Sequence, residues 1–107
     1  MKEETEAQLA LAQLLLARKD GDVDRAVSLA DQMWTGFGES GDAAVARHVA
    51  TATVYAGISL FRTNRAQEAA RLFDRVIARY MGSPDSELQR IVKDAQDMRE
   101  EYPEVSS

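Results

Sequence analysis

Apolar residues return every three or four positions along this chain in five runs, and each run is closed by a helix breaker. The first carries Ala7, Leu9, Ala10, Leu11, Leu14, Leu15 and Leu16, and predicts a helix over 3–19 with acidic side chains in its first turn. Asp20-Gly21-Asp22 ends it: glycine accepts a left-handed backbone, and Asp22 offers a side-chain acceptor to the next helix. Val23, Ala26, Val27, Ala30, Met33 and Trp34 predict a second helix over 23–35, followed by the loop Gly36-Phe37-Gly38-Glu39-Ser40-Gly41-Asp42. A third helix is expected over 43–62. Thr63-Asn64 then interrupts, and Asn is the residue after Gly that best tolerates the left-handed cap. Ala69, Leu72, Phe73, Val76 and Ile77 mark a fourth helix over 66–80. After Met81-Gly82-Ser83-Pro84, with Pro84 suited to a first turn, Leu88, Ile91, Val92, Ala95 and Met98 stripe a fifth helix to about 102.

The runs rhyme at a spacing of 43 residues. Asp22-Val-Asp-Arg-Ala26-Val-Ser-Leu29-Ala-Asp31 returns as Arg65-Ala-Gln-Glu-Ala69-Ala-Arg-Leu72-Phe-Asp74, and Ser40-Gly41-Asp42 as Ser83-Pro84-Asp85. Comparison of residues 1–64 with those 43 later finds nine identities, roughly twice the chance expectation. The shared order of cap, small residue, apolar stripe and loop weighs more, because each feature has its own physical cause. Repetition at a fixed period predicts stacked units, none of which buries its own apolar face.

The run Ala56-Gly57-Ile-Ser-Leu60…Thr63-Asn64-Arg65-Ala66-Gln67-Glu68-Ala69-Ala-Arg-Leu72-Phe73 resembles a tetratricopeptide repeat. By that resemblance Gly57 is the small residue that lets the second helix approach, Ala69 sits at the closest contact and Phe73 is the aromatic one turn on. In the first copy Ala26 keeps the contact, while Leu14 replaces the small residue and Ala30 the aromatic. The period is longer than the family's usual 34 residues and falls within armadillo and HEAT lengths, which length alone would favour; the Gly57-to-Ala69 pattern favours the tetratricopeptide resemblance. Arg79-Tyr80-Met-Gly-Ser83-Pro84-Asp85-Ser-Glu87-Leu88-Gln-Arg90 is similar to the loop of long actinobacterial variants. The implied architecture is all-α: a solenoid of antiparallel helical hairpins, with repeats over 3–37 and 43–80 and a capping helix over 84–102, in one domain.

Composition narrows the chemistry. With 107 residues, 45% hydrophobic and 29% charged, the chain reads as one ordinary globular domain. A net charge of −5 opposes attraction to nucleic acid or anionic lipid, and no apolar stretch is long enough for a membrane span. The lack of a leader points to the cytoplasm. With no cysteine and one histidine, His48, neither a nucleophile–base pair nor a clustered metal site is expected. Asp20, Asp22 and Asp24 alternate as in a calcium loop, but no glycine-and-glutamate remainder follows, and capping explains them better. The expectation is therefore no enzyme, no cofactor and no metal.

In tetratricopeptide arrays the first helix of each pair lines the concave groove. The resemblance thus implies a partner-binding groove of Leu11, Leu15, Val54, Tyr55, Ile58 and Arg62, although the same residues could simply pack helix on helix. By the same resemblance the positions that would clamp a terminal carboxylate hold Leu11, Leu15, Tyr55, Asp94 and Met98, which do not suit one; a largely apolar groove suits a protein or peptide such as an amphipathic helix. The expected function is a non-catalytic interaction or scaffold module, with a regulatory or assembly segment of a larger protein as the alternative. Finally, the first helix is apolar almost all round, which predicts a cover: a homodimer through that helix, or a further repeat.

Overall fold

The computed structural model describes residues 2–37 and 39–101, and folds them into five α-helices: α1 (Lys2–Lys19), α2 (Val23–Phe37), α3 (Ala43–Arg62), α4 (Ala66–Tyr80) and α5 (Ser86–Glu101). No strand occurs among the described residues. Consecutive helices pack on each other, and α3 also packs on α1 and α5, so it touches all four neighbours. Its composition fits that place: Val45, Val49, Ala50, Ala52, Ala56 and Leu60 are all fully buried. The body measures 41 × 32 × 18 Å.

The two hairpin turns have the same construction, one period apart. Gly21 (φ 77°) and Asn64 (φ 63°) take the left-handed conformation. In the first turn Asp22 N donates to Ala17 O and Gly21 N to Arg18 O; in the second Arg65 N donates to Leu60 O and Asn64 N to Phe61 O. Each is the paired 6→1 and 5→2 closure that satisfies the last carbonyls of a helix. The starts of α3 and α5 also match. Asp42 N and Asp85 N each donate to the Ser Oγ two residues earlier, at 3.2 Å. Each aspartate then caps its helix, Asp42 accepting from Ala44 N and Val45 N, Asp85 from Leu88 N.

Two boundaries differ from expectation. Pro84 was expected in the first turn of α5, but α5 begins at Ser86 and the proline precedes the Asp85 cap. The side-chain acceptor sets the boundary here. The helix α2 passes Gly36 to Phe37, which packs part-buried against the core. The expected end of α5 at about 102 lies outside the described residues.

Packing inside the second hairpin is close. A Cβ built on Gly57 would stand 2.8 Å from two Phe73 ring atoms, so only glycine lets that ring seat. Phe73 is fully buried and stacks on Phe61 with centroids 5.6 Å apart. One period earlier the fully buried pair is Leu14 and Ala30. Volume has moved from one helix to the other.

Candidate functional site

Of the six groove candidates, three have side chains open to solvent. Leu15 is 40% exposed, Tyr55 is 36% exposed, and Arg62 ends α3 in the open. Leu11 and Ile58 are part-buried and pack against the core, whereas Val54, at 8% exposure, belongs to the core itself. Asp94 is exposed and Met98 part-buried on α5.

The residue that links α1 to α3 beside Tyr55 is Arg18, which the sequence pattern did not single out. Its Nε donates to Ser59 Oγ at 3.0 Å, and its guanidinium carbon lies 4.5 Å from the centroid of the Tyr55 ring. Leu14 and Ala17, both buried, fix the adjoining face of α1, so Arg18 is directed across to α3. Tyr55 is thereby held against a cation on one side. No local pattern links residues 18 and 55; only the docking of α1 on α3 does so. Lys19 and Arg62, one period apart, close their helices, where a cation suits the helix dipole.

The opposite side of the molecule carries ion pairs between α2 and α4. Arg65 bridges Asp24 and Glu68, and Arg75 Nη1 donates to Asp31 Oδ1 at 2.9 Å. Trp34, next to the buried Met33 on the apolar stripe of α2, is only part-buried, lying beneath Arg75 and Arg79 with centroid distances of 5.2 and 4.2 Å. Its ring meets Tyr80 edge-on. Burial pushes the Tyr80 phenol above its ordinary pKa, with the Arg79 charge opposing.

Between α3 and α5, Arg47 grips Asp85 through two hydrogen bonds, Nε to Oδ2 at 3.0 Å and Nη2 to Oδ1. With the Leu88 amide on the same carboxylate, these bonds lower the Asp85 pKa to about 2. Of the alternating aspartates, Asp22 caps α2 through Arg25 N and Asp24 pairs with Arg65. Among the described residues no three histidine or carboxylate groups converge as metal ligands, and no helix is long and apolar enough to cross a membrane. His48 is part-buried on α3.

No family model, curated protein or solved structure matches the chain. Its geometry carries the functional argument alone.

Proposed function

We propose that the chain is a non-catalytic protein-interaction module of tetratricopeptide type, which receives a short amphipathic segment along the α1–α3 face. The solenoid reading draws on the repeated turn geometry at Gly21 and Asn64 and on the order of packing, in which α1 and α3 touch each other and each touches its own second helix. The binding reading rests on one observation: Tyr55 is held open on α3 by the Arg18 cation, beside an open Leu15 position on α1. A tyrosine whose ring is already fixed loses little entropy when a partner covers it, and Tyr and Arg are the side chains that dominate interface energies. Lys19 and Arg62 at the same ends of their helices favour a ligand with acidic residues at one end and apolar residues along the rest.

Selection from a library of helical peptides tests the proposal. The expected result is enrichment of apolar segments flanked by Asp or Glu, and loss of that enrichment in Tyr55→Ala and Arg62→Glu, with melting temperatures unchanged. Equal enrichment by wild type and both variants would remove the groove. A second reading, a segment of a longer assembly protein, draws on the open leucines of α1.

A further inference from the structure

The outer side of α1 carries leucines that nothing among the described residues covers. Leu9 and Leu16 are each 60% exposed, two turns apart on one stripe, with exposed Ala12 between them. Their counterparts one period later are Ala52 and Ser59, which are 0% and 8% exposed on the side of α3 that meets α1. The bond from Arg18 to Ser59 fixes that assignment. Thus α1 presents to solvent the same side that α3 buries in the stack.

The side-chain sizes say what fits there. Inside the stack the meeting side is built of Ala52, Ala56 and Ser59, small enough for two helices to lie close. On α1 the corresponding residues are Leu9, Gln13 and Leu16. Two leucines in these places would hold a neighbouring helix off the spacing found between α1 and α3. They suit a partner that interdigitates with leucines of its own. The midpoint of the Leu9–Leu16 stripe falls at Ala12 and Gln13. A second α1 laid antiparallel about that midpoint therefore sets each Leu9 opposite the partner's Leu16, with the small Ala12 at the crossing. Charge selects the same orientation. The first turn of α1 holds Glu3 and Glu4, with Glu6 just after, and its last turn holds Arg18 and Lys19. Antiparallel pairing brings acidic ends to basic ends and opposes the two helix dipoles, whereas parallel pairing sets like beside like.

We infer that the chain associates with a second copy of itself through an antiparallel, two-fold pairing of α1 centred between Ala12 and Gln13. Lys19 serves both this surface and the acidic end of the proposed peptide, but Leu9 and Leu16 serve this surface alone, so the Leu9→Glu, Leu16→Glu variant separates the two. The interface is small. An 18-residue helix is about 27 Å long, and a single helix pair falls at or below the lower end of stable interface sizes, so the association is weak.

Sedimentation equilibrium from about 2 to about 200 μM tests it, with a mass rising from 11.8 kDa towards twice that value. Leu9→Glu together with Leu16→Glu holds the mass at the monomer value at all concentrations while leaving the helical circular dichroism intact. Lys19→Glu alone weakens association at least threefold, and adding Glu6→Lys restores it. The chain has no cysteine, so register can be read directly. Under mild oxidation Ala12→Cys cross-links to itself, whereas Leu16→Cys does not until mixed with Leu9→Cys. A wild-type mass that stays at the monomer value overturns the inference and assigns the leucines to a preceding segment or a different protein. Self-cross-linking of Leu16→Cys overturns the antiparallel register.

Discussion

At the residue scale, backbone positions that only one or two amino acids can occupy are the easiest to read and the easiest to test. Gly21 and Asn64 hold the same left-handed conformation at the ends of α1 and α3, and the chain supplies the two residues that tolerate it. Gly21→Ala forces a Cβ into that region, and Asn64→Ala removes the short polar side chain that eases a Cβ there. We expect Gly21→Ala and Asn64→Ala each to lower unfolding free energy by about 1–2 kcal/mol, and Asn64→Gly to be close to neutral, in urea titrations followed by circular dichroism. Asp85 is a different kind of residue, because its environment comes from Arg47 on another helix. Its carboxyl titrates near 2 when folded against an ordinary value of 3.8 when unfolded. The unfolded chain therefore takes up the proton first on acidification. The contribution is complete above about pH 4 and is lost as pH falls towards 2. Thermal melts across that window should show a steeper loss in wild type than in Asp85→Asn, which starts less stable at pH 7. Parallel curves would exclude the Arg47–Asp85 contact as their source.

At the element scale, hydrophobic spacing was enough to locate all five helices, with α3 and α4 bounded as expected. The two differences arise where a distant contact decides a boundary. Phe37 extends α2 because it gains burial, and α5 starts after Asp85 because that carboxylate accepts from Leu88 N and from Arg47. The burial of Phe37 and the Arg47 contact are not visible within a few residues of sequence, whereas the Asp85 cap on Leu88 N is local. The exposure of the proposed groove residues was less legible for a related reason. Spacing places Leu11, Val54, Tyr55 and Ile58 on neighbouring faces, but the tilt of packed helices determines how much of each is covered, and it buries Val54 while leaving Tyr55 open. The exchange between repeats, by contrast, could be read directly: Leu14 with Ala30 in one hairpin, Gly57 with Phe73 in the next. Transferring the first pairing into the second hairpin tests whether the volumes are coupled. Gly57→Leu drives a side chain into the Phe73 ring and should cost at least 1–3 kcal/mol, and Phe73→Ala should cost about 3–5 kcal/mol by leaving a cavity. The double variant should lose at least about 1 kcal/mol less than the sum, since each change relieves the other. Simple additivity would mean the two positions do not share one volume.

At the scale of the whole molecule, α3 decides how the structure comes apart. It is the one described helix that packs on all four others, while α1 and α5 close the two sides of the layer it leads. Repeat proteins distribute stability between neighbours, so a long array can fray from its ends. Here no hairpin is more than one helix away from α3, and fraying α1 would uncover Ala52, Ala56 and Ser59, just as fraying α5 would uncover part of the core around Leu88, Val92 and Ala95. Such losses propagate into α3 before they can stop, which favours a single cooperative transition. Trp34, the sole tryptophan, reports on the α2–α4 side through its contacts with Arg75, Arg79 and Tyr80. Its fluorescence and the far-ultraviolet circular dichroism should therefore share one urea midpoint. Leu60→Ala, a fully buried truncation in the last turn of α3, should shift both midpoints together by a loss of about 2–5 kcal/mol. If the dichroism begins to fall before Trp34 responds, a terminal helix leaves first and α3 does not couple the stack.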